Sequence, residues 1–137
     1  MKLSFCVLAI LSALVFSALA LIWMLAPDLL LSDWGVEFTP SAGLVSRRAA
    51  ALYAGVAVMF FAARNTEPST ARSALIKGVV VACFMLAVLG LLEFEVGNAT
   101  PRILIAVFIE AAFMLGFLYV GCCDPAQSDT CHQRRKA

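Results

Sequence analysis

The chain has 137 residues, of which 63% are hydrophobic and only 14% charged, with a mean hydropathy of +0.95 and a net charge of +1. Soluble domains average about 45–50% apolar and about 25% charged residues, so a water-soluble fold of this size could not hide so much apolar surface, whereas a bilayer can. With a net charge of +1, nothing suggests nucleic acid as a partner. Of the five cysteines, Cys6 and Cys83 lie in apolar runs and Cys122, Cys123 and Cys131 near the C-terminus, which excludes the spacing of a secreted disulfide framework.

A membrane-spanning helix needs about 20 mainly apolar residues. The first segment that qualifies runs roughly from Leu3 to Ala26 and ends at Pro27. A polar loop with Asp28, Asp33, Trp34 and Glu37 follows. The second helix is predicted over 40–63, where Thr39-Pro40 offers a capping hydroxyl and a proline at the first helical position. After the polar stretch Asn65 to Arg72, the third helix is predicted over 73–92. Glu93 to Thr100 forms the next loop, and Thr100-Pro101 opens a fourth helix over 101–121. Residues 122–137 form a polar tail with cysteines and arginines. Loops this short force consecutive helices to run antiparallel. The expected fold is an all-α membrane protein, an up-down four-helix transmembrane bundle over residues 1–121.

Lysines and arginines set the orientation. With the N-terminus inside, Lys2, Arg64, Arg72, Lys77, Arg134, Arg135 and Lys136 fall on the cytoplasmic side and only Arg47, Arg48 and Arg102 on the outer side. Both termini are therefore expected in the cytoplasm, in an inner (plasma) membrane. The alternative is a signal peptide cleaved after Ala18-Leu19-Ala20, but the apolar run continues through Leu25.

Small residues at four-residue spacing are the expected contact faces, because close packing, not the hydrophobic effect, joins helices in lipid. Ala74, Gly78 and Ala82 form such a stripe on the third helix, Ala50/Ala54 and Ala51/Gly55 on the second, and Ala112/Gly116 on the fourth. Trp23, Trp34 and Tyr119 are read as interfacial anchors.

Glu110 is the most informative residue. It stands nine positions past Pro101, about 13 Å into the membrane at 1.5 Å per residue, where a lone carboxylate costs roughly 2.5–3.5 kcal/mol on insertion scales. It should be protonated, paired or facing water. Arg47 and Arg48 reach a similar depth on the second helix. Neighbours on a helix point about 100° apart, so one arginine can face the bundle while the other snorkels to the headgroups. Arg48, on the Ala51/Gly55 side, is the expected partner of Glu110. The pair is read either as a register-fixing ion pair or as a polar site for a lipid headgroup, a quinone or a proton. Tyr53, Glu93 and Arg102 are candidates to line the same pocket.

Cys122, Cys123, Cys131 and His132 supply soft ligand atoms for zinc or copper(I), but their spacing matches no strong metal signature. Cytosolic thiols are the plainer reading, and acylation of the Cys122-Cys123 pair another. Asn98-Ala99-Thr100 fits a glycosylation sequon, but it is pressed against the membrane and followed by Pro101. No serine–histidine, phosphate-loop or paired-metal constellation is present; no cofactor is implied and an enzyme is not the expected class.

Three stretches resemble small, uncharacterised bacterial four-helix membrane proteins related to the DoxX-like superfamily. They are Ala26-Pro27-Asp28-Leu29-Leu30 at the end of the first helix, Arg48 to Gly55 followed by Ala62-Ala63-Arg64 in the second, and Glu110 in the fourth. The resemblance spans roughly residues 10–120. It implies a four-helix inner-membrane protein without an established activity, although DoxX proteins themselves are membrane subunits linked to quinone-dependent sulfur oxidation. Three functions follow as expectations. The first is an accessory or structural subunit of a membrane complex, with a membrane-protein partner or a second copy. The second is a small-molecule binder or carrier for a lipid, quinone or proton. The third is a redox partner acting through the tail thiols.

Overall fold

A computed structural model describes residues 4–122. Among these, all regular structure is helical: α1 (Phe5–Leu25), α2 (Pro27–Asp33), α3 (Pro40–Ala63), α4 (Thr70–Val96) and α5 (Ile103–Cys122). Every helix except the short α2 is long and apolar enough to cross a membrane. Many large apolar side chains face outward, among them Leu25, Leu52, Val96 and Phe108 at 71–77% exposure. An apolar exterior on this scale belongs in lipid, and the protein is a multi-pass, all-α membrane protein.

Local chemistry sets the helix bounds. The hydroxyls of Ser4, Thr39 and Ser69 accept the amides of Val7, Ala42 and Arg72 at 3.4, 3.1 and 3.2 Å, each satisfying an amide that has no partner within its helix. Because Ser69 is the cap, α4 begins at Thr70, three residues before the segment read from hydropathy. Its far end is closed by Gly97 at φ +82°, with the Asn98 amide donating to the Glu93 carbonyl at 3.0 Å, a left-handed cap suited to glycine. Thr100 does not cap α5 as Thr100-Pro101 suggests. Its hydroxyl donates to the Asp33 carbonyl and its amide to the Trp34 carbonyl at 2.9 Å. Diverted to another segment, it leaves α5 to begin at Ile103.

The helices run up and down, and they pair unevenly. α1 packs along α3 and α4 packs along α5, with a lesser contact between α1 and α5. At the end that carries the start of α1 and the end of α5, called here the terminal end, all four long helices meet in a core that includes Leu8, Phe60, Val79 and Phe117. Towards the opposite, distal end a second core holds Trp23, Leu31 and Ala50 from α1, α2 and α3 alone.

Two sets of polar contacts bracket the bundle. At the distal end Arg102 pairs with Asp33 beside the Thr100 bonds, tying the start of α5 to the end of α2. Gly35, at φ +80°, admits this approach, since a Cβ there would lie 2.8 Å from Thr100 Cγ2. At the terminal end the Cys6 thiol donates to Asn65 Oδ1 at 3.7 Å. There the Arg72 guanidinium also lies 4.0 Å from the centre of the Phe5 ring and donates to the Thr66 carbonyl at 3.3 Å.

One expectation is corrected. The Ala74/Gly78/Ala82 stripe does not seat another helix: a Cβ added at Gly78 meets nothing within 4 Å, and the same holds at Gly55. Close approach is made by Ala9 and Ala13 on α1, by the expected Ala50 together with Ala57 on α3, and by Gly90 on α4. Trp23 is buried, with its ring 5.5 Å from that of Trp34.

The two kinds of glycine should separate in a stability measurement. A Cβ at Gly90 would lie 2.7 Å from Val107 Cγ2, so Gly90→Ala should destabilise by about 1–3 kcal/mol through overpacking. Gly78→Ala, which meets open space, should be neutral or stabilising by up to about 1 kcal/mol through helix propensity. Thermal unfolding of the two variants in one detergent checks this; equal losses would contradict the packing described.

Candidate functional site

Because α3 and α4 are joined by a short loop yet hardly touch, a crevice of about 1070 Å³ lies between them, floored by α1 and α5. It extends from Ala49 to Ala63 on α3 and from Ala71 to Leu86 on α4, about 21 Å of helix at 1.5 Å per residue. That is roughly two-thirds of the ~30 Å hydrocarbon thickness of a bilayer. Its sides are open to lipid, as the 74% exposure of the lining residue Leu52 shows. Much of the α4 wall is small (Ala71, Ala74, Gly78, Ala82), which is why the space exists.

The lining is almost wholly apolar, with one ionisable carboxyl, that of Glu110. α5 carries no other charged side chain between Ile103 and Cys122, and α1 carries none between Phe5 and Leu25. Tyr53 on α3 and Cys83 on α4 also line the crevice. Phe16 and Phe113 stand on the floor. The Phe16 ring stacks with Tyr53 at 6.0 Å and with Phe60 at 6.1 Å, and Phe113 stacks with Phe117 at 6.5 Å. These ring contacts hold the aromatic wall in place from the core behind it.

The sequence-predicted residues are therefore partly gathered. Glu110 and Tyr53 share the crevice. Arg48 and Arg47 are exposed on α3, and among the described residues neither forms an ion pair with Glu110. The physical reason is the crevice itself: α5 presents Glu110 to an open space instead of to a closely packed α3, so a long arginine chain finds the headgroups more readily than the carboxyl. Arg102 is engaged by Asp33, and Glu93 accepts from Asn98 Nδ2 at 2.9 Å; neither lines the crevice. Cys122 is exposed at the end of α5, while Cys123, Cys131 and His132 lie outside the described residues. Among the described residues no three ligating side chains gather as a metal site would require.

Phe16, Phe113 and Cys83 were not singled out as site residues from sequence. Phenylalanine recurs ten times in the chain, and no spacing marks these two. Only the three-residue step from Glu110 to Phe113 places a ring next to the carboxyl on one helical face.

Comparison with protein-family models, with curated proteins and with solved structures returns no match. The arrangement of side chains is thus what bears on function.

The absence of an Arg48–Glu110 ion pair has a direct consequence for stability. In a double-mutant cycle, Arg48→Gln and Glu110→Gln should add to within about 0.5 kcal/mol, and Glu110→Gln alone should not destabilise. Orphaning one member of a buried pair typically costs about 3–5 kcal/mol, so a loss of that size, with strong coupling, would restore the ion pair.

Proposed function

We propose that this protein is a membrane-embedded binder of a lipophilic small molecule, which reaches the α3–α4 crevice sideways from the bilayer and sets its polar group against Glu110 and Tyr53. The observation that carries the reading is the crevice of about 1070 Å³ with a single carboxyl in an otherwise apolar lining. Ligand sites are typically of about this size, apolar, and supplied with few polar groups that fix orientation. An extended chain or a narrow ring system fits within the crevice.

The resemblance to the DoxX-like superfamily, which rests on Ala26 to Leu30, on Arg48 to Gly55 with Ala62-Ala63-Arg64 and on Glu110, implies no established activity and bears on topology alone. The accompanying topology is a bacterial inner-membrane protein with both termini in the cytoplasm, which places the distal clamp outside. A C-terminal alkaline phosphatase fusion should accordingly be inactive and a green fluorescent protein fusion bright; the reverse pattern would invert the topology.

The binding reading is tested by native mass spectrometry of the tagged protein extracted gently from its own membranes. A small-molecule adduct is expected, and Gly78→Phe, which fills the crevice where a Cβ meets nothing within 4 Å, should remove it without lowering the unfolding midpoint. Retention of the adduct in Gly78→Phe would exclude the crevice as its site. A stoichiometric second polypeptide in place of the adduct would favour the accessory-subunit function instead.

A further inference from the structure

The carboxyl of Glu110 has no cationic side chain beside it. Among the described residues no lysine, arginine or histidine lines the crevice, none forms an ion pair with Glu110, and the floor helices α1 and α5 carry no basic residue within their spans. Three aromatic side chains, Phe16, Tyr53 and Phe113, line the same space among aliphatic ones. An unpaired carboxylate is the strongest single determinant of which charge such a space accepts. An anionic lipophile would face repulsion in a medium that screens poorly. A neutral one would meet Glu110 in its protonated form, as a hydrogen-bond donor, and would leave the ionised form without a partner. A cation would both pair with the carboxylate and lie near aromatic rings, whose quadrupoles attract positive charge. A bare metal ion is not favoured, because the lining offers one carboxylate where a hard cation takes six or more oxygens.

We propose that the crevice selects a lipophilic organic cation, a protonated amine or quaternary onium carried on an apolar body, with Glu110 as the counter-ion and Phe16, Tyr53 and Phe113 as the aromatic wall. This rests on the binding function proposed above and adds to it the sign of the ligand's charge. Glu110 binds and positions the cation; no covalent step is involved.

The test uses the full-length protein in detergent and two probes of nearly the same shape and opposite charge, tetraphenylphosphonium and tetraphenylborate, measured by equilibrium dialysis. Tetraphenylphosphonium should bind at least tenfold more tightly than tetraphenylborate. Glu110→Gln should weaken the cation at least tenfold, and Glu110→Asp should retain most of the affinity. Tyr53→Leu and Phe16→Leu should weaken it several-fold and guard against a folding artefact at position 110; all variants are compared at matched unfolding midpoints. Equal affinity for the two probes, or cation binding indifferent to Glu110→Gln, overturns the charge assignment. The outcome for the binding function is read separately with a neutral pyrene-labelled lipid. If Gly78→Phe blocks that probe while the cation shows no preference, the crevice binds but does not select charge. If Gly78→Phe blocks neither probe, the crevice is not a binding site and both readings fall.

Discussion

The structure depends on close backbone approach between α1 and α3 and between α4 and α5. In lipid there is no hydrophobic gain from bringing two apolar helices together, so side-chain fit and small residues decide which faces meet. Ala9 and Ala50 are fully buried, with Ala13 and Ala57 nearly so, and they let α1 and α3 run together along their lengths. Gly90 does the same for α4 against Val107 and Ile103 of α5. Each helix of a pair spends its closest face on its partner, and α3 and α4, though consecutive, are left to face each other across a gap.

The gap persists because both ends of the bundle are tied while its flank is not. Arg102, Thr100 and Asp33 fix the distal end, and Cys6, Asn65, Thr66, Arg72 and Phe5 fix the terminal end. The Arg102–Asp33 pair is well exposed on both sides, and exposed pairs contribute about 0–1 kcal/mol. Its role is better seen in company with the two Thr100 hydrogen bonds and the tight turn at Gly35, which together hold one short segment against another. The shared core at the terminal end adds Phe60 and Phe117, with ring centres 5.2 Å apart. Between these anchorages the small side chains of α4 leave room that neither neighbour fills.

How much of this was legible in the sequence follows from what a bilayer does to pattern. Length and hydropathy mark the four spans, since a 20-residue apolar run has few other uses, and Thr39-Pro40 marks the start of α3. Which face meets which is far less visible. In a soluble helix the buried stripe is apolar and the rest polar; here the buried and lipid-facing sides are both apolar. The run Ala49-Ala50-Ala51 makes the point: Ala50 is buried against the neighbouring helices, Ala49 lines the crevice, and Ala51 faces outward. Three identical residues on three faces carry no pattern, so the stripe at Ala74, Gly78 and Ala82 reads as a packing seam though it lines open space. Glu110 was legible because a charge in a span is rare and demands an explanation. That Arg48 does not pair with it was not legible, because depth along a helix constrains only one coordinate of a contact. Thr100 fails as a cap for a similar reason: the motif is local, and the carbonyls that claim it, those of Asp33 and Trp34, belong to a distant segment.

The bilayer also bears on where selectivity can arise. An open-sided crevice in a membrane is not void, since lipid chains move into any apolar space that admits them. A ligand must displace those chains, and its own apolar body gains little by doing so, because hydrocarbon exchanges for hydrocarbon. The walls of alanine, leucine and phenylalanine therefore set the shape of what fits but contribute little to preference over the surrounding lipid. Preference has to come from groups a lipid chain cannot satisfy. Among the lining residues these are the carboxyl of Glu110, the hydroxyls of Tyr53 and Thr66 and the thiol of Cys83, and only the first carries a charge. An unpaired carboxyl in this setting works against stability, as functional sites commonly do. The small-residue wall that keeps the crevice open and the single acid inside it are thus complementary: the first admits many molecules, and the second distinguishes among them.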